Sequence, residues 1–191
     1  MADRQTRVYR FGIIPVGVLI IAVAVGFTEF RYESEALLWH LIHGSTYQWQ
    51  GLIIPVPLMY DLTTGGSSNS IQVVTRPGRL RARRKAPFGV MTAIRAQNQA
   101  EGSKIEDIDK KIAIGLEKHG FRLTGSRSIE VAGKQMQCQE RLAENFRSYG
   151  SAFVVNCQVE DKLLFVEFYG SASLLNEFYS LASAIKGVNA K

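Results

Sequence analysis

The chain is short of the residues from which catalytic and metal centres are commonly assembled. It has 3 histidines and 2 cysteines in 191 residues. No CxxC, CxxCH or paired CxxC spacing is present, which removes the strong signals for zinc, c-type haem and thioredoxin-like redox chemistry. No phosphate-binding loop, Ser/His/Asp arrangement or pair of acids in an apolar setting can be read either. His40 and His43 stand one turn apart, but no carboxylate or cysteine is spaced to complete a metal site with them, so they read as surface histidines. These gaps point away from an enzyme, and no cofactor or metal is expected.

Charge is what the stretch Phe11–Phe27 lacks: it is a continuous run of apolar residues without one ionisable side chain. As a helix it is about 25 Å long, and Tyr9 and Thr28 extend it towards the ~30 Å of a bilayer core. A helix satisfies its own backbone groups in lipid, so residues 11–28 are expected to span a membrane once. Arg4, Arg7 and Arg10 precede the run, and Glu29, Arg31, Glu33 and Glu35 follow it. The positive-inside rule then leaves residues 1–10 in the cytoplasm and carries the rest outside, to the periplasmic face of an inner (plasma) membrane. Ala22-Val23-Ala24 has the small-x-small form of a signal-peptide cleavage site, the rival reading, but the apolar run continues past it. No cysteine lies near the end of the run, which argues against a lipoprotein. Gly12, Gly17 and Gly26 would let a second membrane helix approach, without forming a strict GxxxG pair.

About 160 residues remain, enough for one domain with its own core. The formal net charge is +6. Outside a membrane, a modest basic excess favours anionic headgroups or an acidic partner protein, and the topology excludes nucleic acid. Residues 29–46 read as a juxtamembrane connector with a short helix capped by Ser34 and ended at Gly44. Tyr32 and Trp39 are the amphipathic aromatics expected at a headgroup layer. Arg76, Arg79, Arg81, Arg83, Arg84 and Lys85 make six of ten consecutive residues basic. Near an anionic surface such a cluster adds about 1 kcal/mol per charge to association.

Within residues 47–187, strands are expected at 47–57, 71–75 and 88–94, with Pro55 and Pro57 barring a fully paired central position at that end of the first. Ser103 and Glu106 have the form of a capping box, followed by Ile105, Ile108, Ile112 and Leu116 at helical spacing and by Gly120 as the terminal left-handed residue. Strands return at 129–131, 134–145, 151–159 and 162–169, the last apolar on both faces and therefore central. Leu174, Phe178, Leu181 and Ile185 mark a closing helix.

The cysteines test the register. Residues paired across an antiparallel hairpin share a constant index sum, and opposing Cys138 with Cys157 centres the turn between Arg147 and Ser148. That centre falls in the polar, glycine-ended segment 145–150, where turn chemistry would put it. Directly opposed residues lie about 4.5–5.5 Å apart at Cα, within bridging range. A structural Cys138–Cys157 disulfide is expected, in keeping with an oxidising compartment.

A strand carrying Val56-Pro57 opens this order of elements, and a late hairpin ends it in Phe168-Tyr169-Gly170 before the last helix. In this it resembles the PsbP-like and DcrB-like proteins. The resemblance implies an α+β fold, an antiparallel-sheet α/β/α sandwich on an N-terminal anchor. It also implies a non-catalytic accessory or assembly subunit that docks on a larger integral membrane complex. The alternative is a membrane-anchored domain binding a small ligand between sheet and helix, with Tyr47, Trp49, Tyr60 and Phe88 along the pocket.

Overall fold

The computed structural model describes residues 31–58, 60–64, 69–75, 87–144 and 150–188. The expected span at 11–28, the basic residues Arg76, Arg79, Arg81, Arg83, Arg84 and Lys85, and the turn centre at 147–148 lie outside the described residues. Among the described residues no helix is long and apolar enough to cross a membrane.

Helix α1 (Arg31–His43) leads into a small hairpin, β1 (Thr46–Trp49) and β2 (Leu52–Pro55). The sequence pattern suggests one strand here, but Gln50 and Gly51 both take positive φ, 46° and 78°. Two consecutive left-handed residues make a primed turn, which reverses the chain within two residues. The main sheet follows with β3 (Tyr60–Thr64), β4 (Ser70–Thr75) and β5 (Gly89–Arg95). Helix α2 (Gln99–Lys118) then crosses to the far edge, where β6 (Arg122–Val131), β7 (Lys134–Ala143), β8 (Ala152–Val159) and β9 (Leu164–Ser171) return strand by strand. A 3-10 turn, α3 (Leu175–Ser183) and the short β10 (Lys186–Gly187) close the chain.

The fold is α+β with antiparallel sheets. The main sheet runs β3-β4-β5-β9-β8-β7-β6, and β10 joins β2 to complete a three-stranded second sheet. The apolar β9 is central, as its pattern suggests, and α2 is the crossover that lets two meanders meet at β5 and β9.

Side chains alternate across a strand, so register assigns each to a face. Met91, Val155, Cys157, Val166 and Phe168 point to one side, where they pack with Trp49, Leu52 and Ile54 of the hairpin and with Phe178, Leu181 and Ala182 of α3. Phe178 is the hub of this side: its ring stacks on Phe168 at 5.7 Å and meets Phe153 edge-on at 6.0 Å. Cys138 and Cys157 are directly opposed in β7 and β8, with Cα atoms 3.9 Å apart, and form the expected disulfide. Closing a loop of 19 residues contributes about 3 kcal/mol on the chain-entropy account. The opposite side of the sheet carries Gln139, Arg141, Val154, Asn156, Glu167 and Tyr169, and α2 lies over it.

Candidate ligand-binding cleft

Helix α2 is pinned at its two ends and stands off the sheet between them. At the start, Asn98 caps the helix by accepting from the Glu101 amide at 2.9 Å, while the Glu101 carboxylate reaches back to the Gln97 amide at 2.6 Å. This is capping-box chemistry one turn earlier than the Ser103/Glu106 pair anticipated from sequence. Gly102 is buried against the backbone of Lys162, so close that a Cβ would fall on the Lys162 carbonyl oxygen. At the far end, Gly120 takes φ 86°, its amide bonds to Glu117 O and the Phe121 amide to Leu116 O, a Schellman closure. Leu116 then packs on the cluster of Phe121, Ala143 and Ala152.

Between these pins the apolar stripe is incompletely covered. Ile108 is 56% exposed and Ile112 48%. Beside Ile112 lies a cleft of about 480 Å³, walled also by Phe88, Leu116, Phe121, Val154 and Tyr169. A volume of this order accommodates a drug-sized molecule.

Three polar side chains converge on the floor. Asp109 projects from α2 into the apolar stripe and accepts a hydrogen bond from Asn156 Nδ2. Asn156 is paired in register with Glu167 on the central strand, so all three line the same cleft. A smaller polar cavity of about 150 Å³, which reaches Glu106, Lys110 and Gln139, shares this trio as its wall. Burial pushes the Glu167 carboxyl up to about 7, and the neighbouring Asp109 charge adds to the effect. Asp109 is also raised, chiefly by burial, while the Asn156 hydrogen bond and the positive charge of Arg141 oppose the shift. Among the described residues nothing donates a hydrogen bond to the Glu167 side chain.

Arg141 of β7 is only 8% exposed and sits beside Val154 in the ladder. Its Nη2 donates to Gln139 Oε1 at 3.0 Å, but Nε and Nη1 are buried without a hydrogen-bond partner among the described residues. Unsatisfied buried donors are costly, on the order of 1–3 kcal/mol each.

Of the aromatics expected along a pocket, Phe88 lines the cleft. Trp49 and Tyr60 are instead buried on the opposite side of the sheet, Tyr60 donating to Glu177 Oε1 at 2.6 Å, and Tyr47 packs at the margin of that core. Their alternation in the hairpin and in β3 turns them towards α3. Glu167, Asp109, Asn156 and Arg141 were not anticipated. A signal existed for two of them: Glu167 is the one acid within the apolar segment 163–169, and Asp109 interrupts the apolar stripe of α2. Of the aromatics expected at a headgroup layer, Tyr32 stands in the first turn of α1 and Trp39 is half-buried, stacked on His43 at 4.7 Å. The histidines themselves make backbone hydrogen bonds, His40 to the carbonyls of Gly44 and Pro57 and His43 to that of Trp39.

Fold and cleft together define an α+β domain with a ligand-sized space between its sheet and its long helix. Comparison with protein-family models and with curated proteins finds no match to this chain.

Proposed function

We propose that this chain is a non-catalytic binding domain, held outside the cytoplasm by its N-terminal apolar run, and that the cleft under α2 takes a small molecule. The observation that carries the reading is the apolar space of about 480 Å³ on whose floor Asp109, Asn156 and Glu167 converge. A largely preformed apolar pocket with a few convergent polar groups is the common form of a small-ligand site. The run from Phe11, the arginines before it, and the resemblance of the element order to that of PsbP-like and DcrB-like proteins support a single-pass, periplasm-facing placement. Native mass spectrometry of the full chain, extracted from its own membrane in mild detergent, tests the binding reading. A bound small molecule is expected on the wild type and not on Val154→Trp, which fills the cleft. A wild-type protein that flies without any adduct overturns it.

A second reading is an accessory or assembly subunit docked on an integral membrane complex. It is favoured by α1, where Leu38, Leu41 and Ile42 are exposed, Leu41 to 83%. Contiguous apolar surface of this kind marks contact with lipid or protein. The basic residues Arg76, Arg79, Arg81, Arg83, Arg84 and Lys85 would add attraction to anionic headgroups or to an acidic subunit. Native sizing at endogenous level discriminates: migration with other chains supports this reading, and migration as a monomer counts against it.

A further inference from the structure

Resting on the reading of the cleft as a binding site, we propose that its ligand is a lipophilic amine, a compact apolar body carrying one ammonium group that pairs with Glu167. The acids around the floor differ in how they are compensated. Glu106 is bridged by both Lys110 and Lys162. Asp109 has the Asn156 amide and the nearby charge of Arg141. Glu167 has neither a cation nor a donor among the described residues, and it faces the apolar space. Among the described residues, the carboxylates lining the larger cavity are Asp109 and Glu167, and no lysine, arginine or histidine lines it.

A half-buried carboxylate in an apolar cleft, without a partner, is driven to take up a proton or acquire a cation. An ammonium group supplies that cation together with hydrogen-bond donors, and its apolar body covers the exposed flank of Ile112. The rings of Phe88, Phe121 and Tyr169 add electron-rich faces suited to a positive group. An anionic ligand would instead bring a third negative charge beside Asp109 and Glu167.

The choice of charge state makes binding pH-dependent. Glu167 is flanked in the sheet by uncharged Thr92 and Asn156. From α2 it faces Asp109, with Glu106 and Lys110 beyond, while Arg141 of β7 acts on Asp109. An alkylamine stays cationic across the neutral range, so affinity should rise with pH as Glu167 loses its proton near 7.

The test uses three matched probes, amantadine, adamantanol and adamantanecarboxylate, titrated calorimetrically into the full chain in phosphatidylcholine nanodiscs. At about pH 8 the amine should bind at least tenfold, roughly, more tightly than the alcohol, and the ratio should approach one at about pH 5.5. Glu167→Gln should keep alcohol binding, which shows an intact cleft, and lose the preference for the amine. Equal affinities for amine and alcohol, or tightest binding of the carboxylate, overturn the amine and leave the cleft standing as a site. Failure of all three probes overturns the amine and the cleft reading together. Two copies per disc that fall to one in Val154→Trp assign the cleft to a second copy of the chain and likewise overturn the proposal.

Discussion

Glu167 combines a central place in the sheet with an uncompensated charge, and the combination has a thermodynamic signature. Its proton is held more tightly in the folded chain, to about 7, than the ordinary value of 4.5 that applies when unfolded. Below about 4.5 both states are protonated and the residue contributes no pH-dependent term. As pH rises from there towards 7, the unfolded state ionises freely while the folded state resists, so stability is lost. Above 7 the penalty is complete, at most about 3 kcal/mol from a shift of this size. Glu167→Gln mimics the protonated form and should therefore match the wild type in acid and exceed it above neutrality. Denaturant titrations of both proteins at a series of pH values read the difference directly. Two curves that stay parallel across the range would rule out a desolvated carboxyl.

At this scale the sequence was legible where geometry couples two residues and opaque where it couples many. The disulfide follows from one constraint, the constant index sum of an antiparallel pair, and Cys138 does oppose Cys157. The environment of Glu167 depends on how far α2 stands from the sheet. That distance is set by Gly102 at one end and by Leu116 with Phe121 at the other. No local pattern around Glu167 encodes it.

Among the elements, α2 shows how the right chemistry can be found at the wrong residue. Ser103 and Glu106 satisfy the capping-box pattern, but Glu106 is engaged by Lys110 and Lys162, and Asn98 with Glu101 starts the helix. The C-terminal stop at Gly120 was readable because a left-handed residue leaves few alternatives to glycine. The hairpin at Gln50-Gly51 was missed because a glutamine in the left-handed region is uncommon and gives no turn signal.

The two glycines inside α2 separate helix propensity from docking. Gly115 has nothing within 4 Å of an added Cβ, so Gly115→Ala should stabilise by about 0.5–1 kcal/mol through propensity alone. Gly102→Ala gains the same increment but drives its methyl into the Lys162 carbonyl, which is backbone and cannot turn aside. Overpacking of that kind costs about 1–3 kcal/mol, so a net loss is expected. The same substitution should also widen the N-terminal end of the cleft. Thermal unfolding of the pair measures the contrast, and Tm shifts of the same sign would remove Gly102 as the pin.

For the molecule as a whole, the two sides of the main sheet do different work. One side is closed by α3, the small sheet and α1, which docks through buried Ala36 and through His40 donating to the Pro57 carbonyl at 2.9 Å. The other, among the described residues, is covered by α2 and keeps its space. The layer order was readable because β9, Glu167 apart, is apolar on both faces, and a strand of that kind needs cover on each side. Which side would remain open was not, since the α2 stripe reads from sequence like any other buried face.

Helix α1 presents Leu38, Leu41 and Ile42 outward even though it is docked. It also lies immediately after the run expected to span the bilayer. On the proposed topology this surface rests at the headgroup layer, where Leu and Trp side chains lose contact with water at little cost. The chain has 2 tryptophans, and they report on opposite sides of this question. Trp39 is on α1 and only half-buried, whereas Trp49 is in the core behind it. In full-length protein reconstituted into vesicles, brominated lipid should quench the Trp39 emission of a Trp49→Phe variant. It should leave the Trp49 emission of a Trp39→Phe variant nearly unchanged. Leu41→Lys should weaken the quenching of Trp39 without lowering Tm, because that side chain has no packing to lose. Equal quenching of both tryptophans, or of neither, would detach α1 from the membrane surface and leave its apolar face to a protein partner.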